Sequence, residues 1–279
     1  MSESQQKKAY KAAAFILAVM TWLAITVCPH DLQAEGKSTE ELARAAQNPI
    51  ADLVSLPLQN NTNFGVGPGN DFQNVLNIQP VVPFEMGTNW NLITRTIAPL
   101  IYQPELLPGT GSTFGLGDIK TTLFFSPAKP RKLTWGVGPT FSFPTATDEV
   151  LGTDKWSAGA SLVALTIQGP WVAGALVDNL WSFAGDDDRA DVNQFLLQYF
   201  INYNLPNAWY LSSAPIITAN WEADKSNKWT IPFGGGVGKI FRIGKQPMNA
   251  QIQAFYNAAK PDNGADWTLR LQLQFLFPK

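Results

Sequence analysis

The chain has 279 residues, 45% of them hydrophobic and only 15% charged, with a formal net charge of −2. That balance excludes a strongly basic nucleic-acid binder, and an aromatic share of 12% excludes a disordered acidic tail. The charged share lies well below the ~25% of soluble domains, and 10 Trp and 20 Pro are unusual company for it.

Residues 1–34 read as a secretory signal peptide. Lys7, Lys8 and Lys11 form a basic start, Ala12 to Val27 carries no charge, Pro29 breaks the run, and Ala34 offers a small residue ahead of a cut before Glu35. The uncharged run is shorter than the ~20 residues a membrane-spanning helix needs, which argues against a retained anchor. Cys28 would suit a lipoprotein, but Val27 precedes it and Pro29 follows. Removing this segment takes three of the 20 basic and two of the 22 acidic residues, leaving 17 against 20 and a net charge of −3. It also takes Cys28 and His30, the only Cys and His, so the expected mature chain has no thiol, disulfide or imidazole.

Residues 35–51 are expected to form a periplasmic lead-in with one short helix. Ser38 and Glu41 stand three apart as a capping box ahead of Leu42 to Ala46, and Asn48-Pro49 ends the helix. Two placements are open for it, a mobile lead-in and a plug of whatever follows.

Residues 52–279 then alternate in twelve segments, near 52–64, 74–84, 90–102, 116–126, 133–144, 155–167, 171–182, 192–204, 208–221, 228–243, 247–258 and 266–277. In the last, Trp267, Leu269, Leu271, Leu273, Phe275 and Phe277 share one face, and Thr268, Arg270, Gln272 and Gln274 the other. A soluble sandwich would bury the apolar face, whereas an outer-membrane barrel would turn it to lipid. Strand length favours the barrel, since 9–11 tilted residues cross a bilayer and soluble strands peak near 5–6. Connection length does too, with 65–73, 103–115, 145–154, 183–191, 222–227 and 259–265 generally longer than 85–89, 127–132, 168–170, 205–207 and 244–246. So do Trp90, Trp156, Trp171, Trp181, Trp209, Trp221, Trp229 and Trp267, all near segment ends, where amphipathic rings meet headgroups. The expected fold is an all-β transmembrane antiparallel barrel of 12 strands with a short N-terminal helix, in the outer membrane of a Gram-negative-type bacterium.

Five runs carry a resemblance: Gln59 to Asn63, Gly115 to Ile119, Trp135 to Pro139 with Phe143 to Asp148, Asn202 to Pro206, and Gly234 to Lys239. Over residues 40–279 the chain resembles a bacterial exported family named for the meta pathway of phenol degradation, whose members are often labelled transporters. The resemblance implies an outer-membrane barrel admitting small organic solutes, aromatic ones included, and supplies no catalytic residues.

Chemical motifs are weak. Gly234 to Ile240 resembles a phosphate loop, yet Phe233 and Ile240 stand where Gly and Ser/Thr are required; glycine that thins the wall or bends the strand is the better reading. The acidic loop Gly185 to Asp191 departs from a calcium loop and reads as a solvated turn. A barrel hydrolase would lack His in the expected mature chain, and Asp118, Asp178 or Glu85 would have to supply carboxylate chemistry. No enzyme, metal or cofactor is expected. Function is expected in the lumen, lined by Arg95, Asp118, Lys120, Asp178, Gln194, Gln198, Asn202, Gln251, Gln253, Arg270 and Gln272 among other amides and hydroxyls. Donors and acceptors without a strong field suit neutral or weakly polar solutes. Passive passage of such solutes is the expected role, and a closed structural barrel the alternative. The expected partners are outer-membrane lipid and a small solute.

Overall fold

The computed structural model describes residues 38–106, 109–129 and 132–278. The expected signal peptide, with Cys28 and His30, lies outside the described residues.

Twelve staves close into one antiparallel barrel, each joined to its sequence neighbour. They are β1 (Val54–Val66), β2 (Asp71–Ile78 continued by Val81–Met86), β3 (Trp90–Gln103), β4 (Thr113–Leu116 continued by Ile119–Pro127), β5 (Leu133–Phe143) and β6 (Lys155–Gln168). There follow β7 (Trp171–Gly185), β8 (Asn193–Asn204), β9 (Trp209–Ser213 continued by Ile216–Asn220), β10 (Trp229–Ile243), β11 (Gln246–Ala259) and β12 (Trp267–Phe277). The ring shuts where β1 runs antiparallel to β12 from Val54 opposite Phe277 to Phe64 opposite Trp267. Closure removes the unpaired edges that an open sheet would leave.

Three staves are interrupted, two of them at proline. Pro80 divides β2 and Pro215 divides β9, because proline has no N–H to give the ladder; the break in β4 falls at Gly117-Asp118. One rim carries the connections 67–70, 104–112, 144–154, 186–192, 221–228 and 260–266, and the other 87–89, 128–132, 169–170, 205–208 and 244–245. These are called the long-loop and short-turn rims below.

Polarity is inverted relative to a soluble core. Leu271 is 47% and Leu162 50% exposed on the outer face, whereas Gln253 and Ser161 are 1% and 2% exposed on the inner one. Alternation with the apolar set outward means that hydrocarbon, not water, is the solvent of the outer face. Aromatic rings mark both margins of that apolar band. At the short-turn rim Trp90 meets Trp135 edge-on at 5.9 Å and Trp171 lies 4.7 Å from Tyr203. At the long-loop rim Phe64 stacks on Trp267 at 4.1 Å, and Trp221 meets Trp229 at 5.4 Å. Lys239 lays its ammonium 4.8 Å over the Trp209 ring, a cation at the edge of the band.

Helix α1 (Thr39–Ala46) forms as its capping box dictates: Ser38 N–H donates to Glu41 Oε2 at 2.8 Å and Glu41 N–H to Ser38 Oγ at 3.1 Å. It packs against the barrel wall. Leu42 and Ala43 are buried against Leu53, Ala208, Ile240 and Leu276, inside the short-turn rim. Gln47 bonds the Asn204 side chain at 2.9 Å, and the chain then turns inward to bury Ile50 among Val81, Ile93, Phe124, Val163, Leu165, Val172, Leu176 and Phe200. The barrel interior is therefore polar in part only. An apolar core fills one side of its short-turn half, because the lead-in supplies an aliphatic side chain for inward-facing Leu, Val and Phe to cover.

Candidate functional site

Two cavities occupy the remaining lumen. The inner one, of about 150 Å³, lies between residues 45–53 of the lead-in and the wall, and is lined by Arg95, Gln198, Asn202, Gln251, Gln253, Arg270 and Gln272. Leu176 and Phe200 give it an apolar side. The outer one, of about 370 Å³, runs toward the long-loop rim past Asn61, Asn77, Phe255, Asn257 and Lys260. Both are lined by Gln59 and Arg270, so Arg270 stands where the two cavities adjoin.

The fold positions that guanidinium from four directions. β12 turns Arg270 inward, since its neighbours Leu269 and Leu271 take the outer face. Its Nε–H donates to Asn61 Oδ1 on β1 at 2.9 Å, and an Nη1–H to the Ala214 carbonyl at 2.9 Å. That carbonyl is free of the ladder because β9 breaks at Ala214-Pro215. A longer contact of 3.5 Å reaches Gln253 Oε1, and the guanidinium carbon lies 4.8 Å over the Phe255 ring. Arg95, opposite Val81 in the ladder, donates from Nη2 to Gln79 Oε1 at 3.0 Å.

Lys120 and Asp178 meet across the lumen wall, Nζ to Oδ1 at 2.7 Å, joining β4 to β7. Arg95 and Arg270 belong to none of the ion pairs among the described residues. At the inner cavity the charges are thus Arg95 and Arg270, with the Lys120–Asp178 pair outside it, while Lys260, paired with Asp266 at 2.7 Å, stands at the outer cavity.

Seven of the eleven expected lumen residues share the inner cavity, and the Lys120–Asp178 pair stands outside both cavities. Two lie elsewhere. Gln194 is at the long-loop rim, beside Arg189, Asp191 and Asn220. Asp118 is a correction: its Oδ2 accepts from Thr153 N–H at 2.7 Å and Thr153 Oγ1–H at 2.8 Å, and its Oδ1 from Ala146 N–H, so it latches the loop 144–154. It lies in the interruption of β4 at Gly117-Asp118 and lines neither cavity.

Tyr210 was not foreseen. It is 1% exposed, lies against Gly238 across the ladder, and donates its hydroxyl to Asn249 Oδ1 at 2.7 Å. The alternate glycines Gly234, Gly236 and Gly238 are the signal that could have found it, because a bare inner face on one strand leaves room for a large ring from the next.

No protein-family model and no curated protein matches the chain. Solved structures do. An outer membrane channel from Pseudomonas putida F1 superposes with a TM-score of 0.63 at 16% identity, covering 81% of this chain and 94% of that one. The likeness is one of fold. A FadL homologue from Pseudomonas aeruginosa gives 0.45 at 10% identity, over 85% of this chain and 94% of its own. Outer membrane phospholipase A from Escherichia coli gives 0.41 at 13% identity, over 82% and 97%. That last match corrects the expectation that the chain is no enzyme, because an enzyme stands among the barrels it resembles and the architecture gives no ground for excluding catalysis.

Proposed function

We propose that the protein is an outer-membrane channel for passive passage of small organic solutes, aromatic ones included. The observation that carries this reading is the pair of cavities, the inner one mostly polar, that adjoin at Arg270 inside an apolar-coated ring. A wall of amides with a few fixed guanidinium groups exchanges hydrogen bonds with a passing solute without holding it as tightly as a closed charged cage. The fold it shares with an outer membrane channel of Pseudomonas putida F1 supports the same reading, as do the aromatic margins. The reading includes export by the segment 1–34, a short-turn rim facing the periplasm, and membership of the family named for the meta pathway of phenol degradation.

One observation favours a second reading, a closed structural barrel: α1 and Ile50 occupy much of the short-turn half. Swelling of liposomes carrying the purified barrel separates the two. Under the channel reading, neutral and charged organic solutes of graded size enter until a size limit is reached. Exclusion of every solute, from the smallest upward, would leave the closed barrel standing.

A further inference from the structure

We propose that Arg95 and Arg270 form a recognition point for a small organic monocarboxylate, with its apolar part no larger than about one aromatic ring. The inference deepens the channel reading by naming its solute class, and in that sense rests on it.

Two guanidinium groups line one small cavity, and both are oriented by neutral oxygen acceptors: Gln79 Oε1 for Arg95, Asn61 Oδ1 and the Ala214 carbonyl for Arg270. Amide and carbonyl dipoles fix where the forks point without neutralising them. Asp178 has its Oδ1 held by Lys120 at 2.7 Å and also attracts Arg95, so Arg270 is the less compensated of the two. Positive charge kept out of bulk water in this way is costly unless an anion shares it. A carboxylate suits it best, since two oxygens match the planar fork and charge assistance strengthens each bond.

The opposite side of the cavity sets the rest of the ligand. Leu176 and Phe200 belong to the buried apolar cluster and reach the same space as the guanidinium groups. A volume of about 150 Å³ matches that of an engineered apolar cavity known to admit benzene. A solute with a charged head and a flat or branched apolar body therefore satisfies both sides at once, head on Arg95 and Arg270, body on Leu176 and Phe200. Inorganic anions satisfy only the first. Neutral aromatics satisfy only the second.

Benzoate and its uncharged isostere benzamide test this directly. Calorimetric titration of the purified full-length barrel in non-ionic detergent should show benzoate binding at least tenfold tighter than benzamide, and inorganic phosphate failing to displace it at equal concentration. Arg95→Gln and Arg270→Gln should each weaken benzoate at least tenfold and leave benzamide unchanged. Retained heat-modifiable migration on gels would identify folded variants, and if neither folds the wild-type comparison alone decides. Equal binding of benzoate and benzamide, or equal displacement by phosphate, overturns the assignment. Planar-bilayer recording separates this from the channel reading: currents that benzoate fails to reduce remove the recognition point and keep the channel. Absence of any current removes the channel, and the titration then rules on the site by itself.

Discussion

Tyr210 and Gly238 show how single positions set the thickness of the wall. A Cβ on Gly238 would run into the Tyr210 ring, so Gly238→Ala must displace a side chain that is 1% exposed and bonded to Asn249. Overpacking of this kind costs about 1–3 kcal/mol. Tyr210→Phe keeps the packing and leaves Asn249 Oδ1 short of a donor, at about 1 kcal/mol. Urea unfolding in lipid vesicles should rank wild type above Tyr210→Phe. The Lys120–Asp178 pair makes a different demand. Asp178→Asn strands a cation whose side chain is only 20% exposed, and should cost about 2 kcal/mol, a fully buried pair costing more and a surface pair less. The double variant Lys120→Met with Asp178→Leu should recover most of that loss in the same assay, and a double variant as weak as the single one would show that charge was not the issue.

Helix α1 is the element whose placement most affects passage. Its sequence specified the helix itself: Ser38 and Glu41 cap it, and Asn48-Pro49 ends it. What the sequence did not specify was the destination, because the partners of Leu42 are Leu53, Ala208, Ile240 and Leu276, separated from it by up to the length of the barrel. Leu42→Asp puts a charge into that apolar contact, and the helix should leave the rim. Conductance in planar bilayers is then expected to rise severalfold, and an unchanged conductance would mean that the seated helix does not restrict the pore. The staves were legible for the opposite reason. Alternation is local, and each of the twelve segments carried it. Residues whose role depends on a distant partner were not: Asp118 latches the loop 144–154, and Leu176 and Phe200 are covered by Ile50 from the lead-in. Arg270 was legible as an inward residue, but its orientation by the Ala214 carbonyl depends on Pro215 three staves away.

At the scale of the whole barrel, the two faces obey different solvents. An Arg placed at Leu271, 47% exposed in the middle of β12, should cost about 2–4 kcal/mol, as cations do near a bilayer midplane. The same substitution at Trp267, at the rim, should cost about 0–1 kcal/mol of transfer energy, since depth sets the penalty. Equilibrium folding into phospholipid vesicles measures both, and equal penalties at the two positions would contradict a lipid-facing band.

The seam between β1 and β12 brings residues some two hundred positions apart into register, and the Arg270 Nε to Asn61 Oδ1 bond crosses it. A half-zipped sheet therefore holds this arginine by the Ala214 carbonyl, Gln253 and Phe255, and lacks its fourth anchor. A ligand fitted to the fully anchored fork therefore favours rings whose last stave has met the first, and its occupancy would rise as assembly finishes.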